Sequence, residues 1–253
     1  MMFRTLAGIL VPFFGTTLGA GCVYLMRNRI SERKRRALTG FAAGVMAASS
    51  VWSLILPAVE QCAAMGRLCF LPPLVGFWAG IGFMLPLDKA TERYTPPQYE
   101  AGNTDINKMI WAVTLHNIPE GLAVGVVFAE TAASSGAGMA AAFAFAIGIA
   151  IQNFPEGAII SMPLRSLGMK RFRAFLFGAL SGAVEPLAAA AAFAALKLSV
   201  ALMPYLLSFA AGAMVWVAVG ELIPDSAAGE NKNVGAAAFC LGASLMMIAD
   251  VAC

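Results

Sequence analysis

Long apolar stretches, separated by short polar segments, run along the whole chain. Each is close to the length of about 20 residues that a helix needs to cross the hydrocarbon core of a bilayer. The stretches lack the apolar-polar alternation of membrane β-strands, so the pattern predicts helices. Eight spans are expected, near residues 5–26, 38–60, 71–87, 109–129, 137–162, 174–196, 201–224 and 234–252.

Composition supports a multi-spanning membrane protein. Of the 253 residues, 60% are hydrophobic and 12% are charged, and the mean hydropathy is +0.77. Soluble domains have about 45–50% apolar and about 25% charged residues. Little of the chain remains for a soluble domain. We therefore expect an all-α protein in which residues 1–253 form a single transmembrane domain that includes a loop at 88–108.

The positions of the basic residues predict the orientation, because cytoplasmic loops retain Lys and Arg. Alternate loops hold 14 of the 17 basic residues. We expect those loops in the cytoplasm and both termini outside. This topology accounts for the net charge of +3 without a nucleic-acid partner. The four loops are 27–37, 88–108, 163–173 and 225–233.

A short phrase in the second span recurs in the seventh. Residues 41–46 read FAAGVM and residues 209–214 read FAAGAM, and each phrase is followed by a Pro, at Pro57 or Pro224. Four spans lie between the two copies, so related units would cross the membrane in opposite senses. The pattern predicts that spans 1–3 and 6–8 form an inverted repeat around spans 4 and 5, as in many secondary transporters. Coincidence in an Ala- and Gly-rich sequence is the alternative.

Two related motifs lie within the fourth and fifth spans. Residues 116–121 read His-Asn-Ile-Pro-Glu-Gly and include the only histidine, and residues 152–157 read Gln-Asn-Phe-Pro-Glu-Gly. Helical spacing gathers the polar side chains of each motif on one face. Each proline removes a backbone donor and leaves a carbonyl of the preceding turn unpaired. We therefore expect each helix to be broken or kinked there, with backbone oxygen exposed beside these polar side chains.

Depth estimates bring the two motifs together. At about 1.5 Å per residue from the flanking basic residues, His116 comes level with Glu156 and Glu120 with Gln152. Glu185, before a proline in the sixth span, reaches a similar depth. The sequence thus predicts a buried polar cluster of His116, Asn117, Glu120, Gln152, Asn153, Glu156 and Glu185.

The cluster predicts a site for a divalent cation. An ionised carboxylate at the bilayer centre costs about 2.5–3.5 kcal/mol, and three carboxylates also repel one another. A divalent cation relieves both penalties. Imidazole, carboxylate and amide oxygen suit Zn²⁺, and also Cd²⁺, Fe²⁺, Mn²⁺ or Co²⁺. We therefore expect the protein to carry such ions through the lipid bilayer, and its asparagines leave room for a second ion.

Four polar residues near the ends of two spans are candidates for the ion path. Ser53 and Glu60 in the second span can line an outer entrance, and Glu221 and Asp225 in the seventh can receive an exiting ion. Solvated helix ends and interfacial acids are the alternative explanations.

These features resemble the ZIP (Zrt- and Irt-like) divalent metal transporters, in particular their bacterial GufA-like branch. The resemblance covers the whole chain and rests on the motifs at 116–121 and 152–157, on Val-Glu-Pro at 184–186 and on Glu-Leu-Ile-Pro-Asp at 221–225. It implies eight helices arranged as three plus two plus three, both termini outside, a binuclear site and uptake of zinc or a similar ion into the cytoplasm. From the inverted repeat we expect a site near the midplane and transport across the bacterial cytoplasmic membrane by alternating access.

The resemblance also implies a division of the cluster into two metal sites. Many relatives have His where this chain has Gln152, and some have Asp where it has Asn153, so the second site carries less negative charge here. The implied ligands are His116, Glu120, Gln152 and Glu156 for the first site, and Asn117, Asn153, Glu120, Glu156 and Glu185 for the second.

Two other functions use similar residues. An intramembrane zinc-dependent hydrolase would be expected to have a second histidine, as in His-Glu-x-x-His, but the chain has one. A proton or monovalent-cation carrier would use carboxylates without needing imidazole. We therefore expect a transporter rather than an enzyme. Faces of small residues permit a homodimer without requiring one.

Overall fold

In the computed structural model of the protein, the described residues are 2–25, 31–93, 104–133, 138–166, 168–198, 200–229 and 232–252. Throughout these ranges the chain forms helices joined by short connections, without a β-strand. Six of the described helical segments are long and apolar enough to cross a membrane, and a shorter apolar segment covers Leu71–Leu87.

The helices follow the apolar stretches of the sequence. Part of the predicted loop at 88–108 falls on residues 94–103, outside the described residues, and both of its ends are helical. The helices are α1 (Met2–Leu25), α2 (Glu32–Ser49), α3 (Leu56–Gln61), α4 (Leu71–Arg93), α5 (Thr104–Ala133), α6 (Met139–Ser166), α7 (Arg171–Ser181), α8 (Val184–Leu198), α9 (Met203–Val217), α10 (Ile223–Ala227) and α11 (Lys232–Ala252).

A π-helical turn interrupts each of the two spans that share the repeated phrase. Residues Ser50–Ile55 join α2 to α3, and Ala218–Leu222 join α9 to α10. Each turn ends two residues before a proline, Pro57 or Pro224. Proline lacks a backbone donor and its ring crowds the carbonyl one turn earlier, and a wider turn relieves that crowding. The sequence revealed both prolines but not the turns.

The sixth span is broken, which the sequence prediction of one span at 174–196 missed. Helix α7 ends at Ser181 and α8 begins at Val184, with Gly182 as the cap of α7. Pro186 lies in the first turn of α8, where its missing N–H has no helical role. Helices α5 and α6 continue through Pro119 and Pro155, so neither proline breaks its helix, and the kinks stay a prediction.

Pairs of glycines four residues apart let four pairs of helices approach closely. A Cβ atom built on any of these glycines would lie 1.8–2.3 Å from a backbone carbonyl oxygen of the neighbouring helix, too close for a real atom. Small residues at this spacing commonly bring membrane helices together. The pairs are Gly15 and Gly19 of α1 against α6, Gly40 and Gly44 of α2 against α11, Gly76 and Gly80 of α4 against α9, and Gly121 and Gly125 of α5 against α8.

These contacts also fix the relative direction of the helices. Gly15 meets Ala150 and Gly19 meets Phe154, so residue numbers rise together and α1 is parallel to α6. In the same way α2 is parallel to α11, α4 to α9, and α5 to α8. These glycines thus pack against helices of their own chain, and they do not indicate a homodimer.

The helices form two groups. Helices α1, α5, α6, α7 and α8 pack mainly against one another, and we call them the glutamate bundle because they carry Glu120, Glu156 and Glu185. Helices α2, α3, α4, α9, α10 and α11 form the π-turn bundle, named after its two π-helical turns. Contacts of α2 with α6 and of α5 with α9 join the bundles, and one apolar core extends through both.

Replacing Gly19 by alanine should destabilise the protein. The new methyl group would lie 1.8 Å from the carbonyl oxygen of Phe154, so α1 and α6 would have to separate, and overpacking typically costs about 1–3 kcal/mol. Gly21→Ala in the same helix is the matched control, because a Cβ atom there meets no atom within 4 Å. Thermal unfolding in detergent should give a lower Tm for Gly19→Ala than for Gly21→Ala. Equal values would contradict the close packing.

Candidate metal centre

The two motifs face each other inside the glutamate bundle. Gln152 Nε2 in α6 donates a hydrogen bond to Glu120 Oε1 in α5. Asn117, Glu120, Gln152 and Asn153 have no solvent exposure, and Glu156 is 4% exposed. The depth estimates from the sequence put Glu120 level with Gln152, and the hydrogen bond between these side chains joins the two motifs directly.

His116 lies in α5, one helical turn before Glu120. Its side chain is outside the described part of the structure, so its position beside Glu156 stays a prediction. The four-residue spacing puts His116 on the same face of α5 as Glu120.

The glycine that ends each motif lets another helix approach the preceding glutamate. A Cβ atom on Gly121 would lie 2.3 Å from the carbonyl oxygen of Glu185, and one on Gly157 would lie 2.0 Å from that of Thr16. The first contact brings α8 against α5, and the second brings α1 against α6. The motifs therefore shape the surrounding helices as well as supplying polar side chains.

Glu185 adds a third buried carboxylate. It lies in the first turn of α8 and has no solvent exposure. Thr16 Oγ1 in α1 donates a hydrogen bond of 2.7 Å to Glu185 Oε1. Glu120 interacts electrostatically with Glu156 and Glu185, and Glu185 interacts with Glu156. Carboxylates from three helices thus lie within electrostatic reach of one another.

The break between α7 and α8 leaves a backbone carbonyl available to a side chain. The last carbonyl groups of a helix have no partner within it. Ser181 ends α7, and Asn117 Nδ2 donates a hydrogen bond of 3.0 Å to its carbonyl oxygen. This bond orients the Asn117 amide, whose Oδ1 has no hydrogen-bond partner among the described residues.

Asn117 Oδ1 is one of five buried oxygen atoms of the cluster that lack a hydrogen-bond partner within the described ranges. Such groups are rare, since leaving one unpaired costs about 1–3 kcal/mol. Carboxylate and amide oxygens are also ordinary ligands for metal cations. The atoms are Asn117 Oδ1, Glu120 Oε2, Gln152 Oε1, Asn153 Oδ1 and Glu185 Oε2.

Carboxylates alone do not complete a metal site in the described part of the chain. No three of its described His, Cys, Asp and Glu side chains form a group that could hold a metal ion. An ion bound here therefore needs amide oxygen atoms beside the carboxylates, which Asn117, Gln152 and Asn153 supply.

Two cavities lie where the α3 end of the second span meets α5. One of about 720 Å³ is lined by Gln61 and Glu130 among others, and one of about 360 Å³ is lined by Ser53 and Glu130 among others. Gln61 Nε2 donates a hydrogen bond of 2.8 Å to Glu130 Oε1. Glu60 is exposed and lines neither cavity. Glu130 is not among the residues predicted from the sequence, because it is a single acid outside any motif.

At the end of the helices opposite these cavities, the two acids predicted to receive an exiting ion have different surroundings. Asp225 Oδ2 accepts hydrogen bonds from Arg35 Nη1 at 2.5 Å and from Thr39 Oγ1 at 3.3 Å. An ion that binds Asp225 must therefore compete with the Arg35 guanidinium. Glu221 lies in the π-helical turn Ala218–Leu222 and is exposed.

Comparison with known proteins gives a consistent result. Residues 99–250 match the family model described as ZIP Zinc transporter. Zinc transporter ZIP11 of Homo sapiens is 32% identical, with 99% of this chain and 97% of the relative covered. Zinc transporter GufA of Myxococcus xanthus is 33% identical, with 94% of each chain covered. Zinc transporter ZIPB of Bordetella bronchiseptica is 32% identical, with 95% of this chain and 78% of the relative covered.

The family model covers more than half of the chain, and these relatives align with almost all of it. The matched proteins are named as transporters and not as enzymes, so the hydrolase alternative was wrong. The apolar helices agree with a multi-pass membrane protein. The chain belongs to the ZIP zinc transporter family, in its GufA-like branch.

Proposed function

We propose that this protein carries divalent transition-metal ions across the membrane and that Zn²⁺ is its main substrate. The observation that carries this proposal is the buried cluster of carboxylates and amides on α5, α6 and α8, because several of its oxygen atoms lack hydrogen-bond partners among the described residues. Such a cluster is costly in a bilayer unless a cation occupies it. The names of the relatives point to zinc as that cation.

The proposed cluster has room for two ions that share Glu120 and Glu156. Zinc accepts nitrogen and oxygen ligands, and the same donors accept Cd²⁺, Fe²⁺, Mn²⁺ and Co²⁺. Asn153 supplies an amide where some relatives have Asp, so the second site has less negative charge than in those relatives and should hold its ion less tightly than theirs. We assign His116, Glu120, Gln152 and Glu156 to the first site, and Asn117, Asn153, Glu120, Glu156 and Glu185 to the second.

The proposed topology has eight spans in a three plus two plus three arrangement, with both termini outside the bacterial cytoplasmic membrane. When a chain crosses the membrane back and forth, two spans run in the same direction only if an odd number of spans lies between them. The parallel pairs seen here meet this condition, since they are spans 1 and 5, 2 and 8, 3 and 7, and 4 and 6. The two π-helical turns before Pro57 and Pro224 support an inverted repeat. The basic loops support the orientation.

The proposed mechanism is alternating access, in which the glutamate bundle moves against the π-turn bundle. The extensive contacts lie within each bundle, whereas fewer helix pairs join them. Zinc would pass the exposed Glu60, enter through the cavities lined by Ser53 and Glu130, bind the cluster and leave towards Glu221 and Asp225. On this path the ion enters the cytoplasm.

Uptake of radioactive zinc into proteoliposomes tests the function. Wild-type protein should accumulate zinc, and His116→Ala and Glu156→Ala should each lower kcat/KM by at least about ten-fold, since loss of even an indirect metal partner costs about 10–100-fold. Glu32→Gln is the control, because this acid lies on the protein surface with 64% side-chain exposure. Glu32→Gln should transport like wild type. Wild-type vesicles that accumulate no more zinc than empty ones would contradict the proposal.

Zinc should raise the thermal stability of the wild-type protein, because a ligand that binds only the folded state stabilises it by about 2.7 kcal/mol at 100 times its Kd. Gln152→Leu should reduce this shift by removing a ligand. The matched control is Gln61→Leu, which also breaks a Gln–Glu hydrogen bond, but at an exposed position. Equal zinc-induced changes in Tm for the two variants would show that Gln152 is not a ligand.

Linking the bundles at the outer end should stop transport. In a variant without the native cysteines, Gln61→Cys and Glu130→Cys join α3 to α5, and a short cleavable bifunctional thiol reagent should block zinc uptake reversibly. Phe83→Cys with Phe209→Cys is the control, because these rings are 5.4 Å apart within the π-turn bundle. Full uptake after complete linkage of Gln61→Cys to Glu130→Cys would contradict the movement of one bundle against the other.

A further inference from the structure

Thr16 is a polar residue without solvent exposure in the apolar helix α1. Its Oγ1 lies 2.7 Å from Glu185 Oε1 and 3.5 Å from the carbonyl oxygen of Pro12. A threonine in a helix often donates to the carbonyl four residues earlier. The hydroxyl has one proton, however, and the shorter contact is to the carboxylate. Thr16 therefore donates to Glu185 across the interface between α1 and α8.

This hydrogen bond distinguishes the two oxygen atoms of Glu185. Oε1 is held by Thr16, and Oε2 has no hydrogen-bond partner among the described residues. The Asn117 amide is held in the same way, since Nδ2 donates to Ser181 and Oδ1 is left without a partner in that part of the chain. In both side chains one polar atom is anchored and one oxygen stays available to a cation.

Gly182 provides the space for the contact between Thr16 and Glu185. A Cβ atom on Gly182 would lie 2.8 Å from Glu185 Oε1 and 2.8 Å from Thr16 Cβ. Its φ of −80° is accessible to any residue, so the backbone itself does not require glycine. The break between α7 and α8 thus leaves a gap at Gly182 through which Thr16 reaches the carboxylate.

We propose that Thr16 is a positioning residue for the metal centre, which holds Glu185 so that Oε2 faces the ion, and that Gly182 keeps the space for this contact open. The inference rests on the proposed function, because Glu185 is taken as a ligand of the second ion. Indirect partners of this kind fix the orientation of a metal ligand, and their loss typically lowers metal affinity about 10–100-fold. Helix α1 thereby becomes part of the metal centre without supplying a ligand.

The test measures equilibrium binding of radioactive zinc to the purified full-length protein, together with KM for uptake into proteoliposomes. Thr16→Val removes the donor but keeps the shape, and it should weaken binding of the second zinc ion by about 10–100-fold and raise KM. Thr16→Ser restores the hydroxyl and should bind zinc like wild type. Thr17→Val is the control, because Thr17 Oγ1 has no hydrogen-bond partner among the described residues, and its zinc affinity should not change.

Gly182→Ala and Gly178→Ala form a second matched pair. Both changes crowd α1, since a Cβ atom on Gly178 would lie 2.8 Å from Ala20 Cβ, but only Gly182 lies against Thr16 and Glu185. Gly182→Ala should therefore weaken zinc binding more than Gly178→Ala does. Equal zinc affinities for these two variants would overturn the role of Gly182.

The outcomes separate this inference from the proposed function. If wild type transports zinc while Thr16→Val binds zinc as tightly as Thr17→Val, the positioning role is wrong and the transport function stands. If Thr16→Ser binds zinc as weakly as Thr16→Val, the hydroxyl is not the cause and the role is also overturned. If wild type neither binds nor transports zinc, the proposed function itself fails.

Discussion

Carboxylates buried inside an apolar helix bundle constrain the rest of this molecule. Acids in a bilayer are costly unless they are paired, hydrogen-bonded or bound to a cation. Gln152 donates to Glu120 and Thr16 donates to Glu185, so each of these acids has one oxygen satisfied by a neighbouring helix. The second oxygen of each has no hydrogen-bond partner among the described residues. This partial satisfaction favours a site that stays folded without an ion and is completed by one.

The close helix packing supports that site. Membrane helices do not gain hydrophobic energy by leaving lipid, so close packing between them carries much of their association. Gly121 and Gly157 follow the motif glutamates directly and bring α8 and α1 against them. The same residues therefore serve both the packing of the bundle and the chemistry of the cluster, which explains why each motif ends in glycine.

Most of the polar cluster is predictable from the sequence, because helical spacing puts the side chains of each motif on one face and the depth count puts the two motifs at the same level. Side chains placed in this way meet when their helices are neighbours. The pairing of Glu120 with Gln152 follows from that counting. Thr16 could not be found in this way, since a threonine in an apolar helix gives no signal until its neighbour across the interface is known. The break at Gly182 was hidden because Gly and Ala are common throughout the spans. Asp225 was expected to be available to an ion, but Arg35, in a loop considered only for orientation, binds it.

Zinc K-edge X-ray absorption of the zinc-loaded protein tests most directly whether this cluster is the metal centre. We expect a shell of nitrogen and oxygen atoms at about 2.0–2.2 Å, with at most one imidazole per protein and no sulfur. Replacing Glu120 should change that shell. A sulfur shell at about 2.3 Å, or a spectrum unaffected by the loss of Glu120, would show that zinc binds elsewhere in the protein.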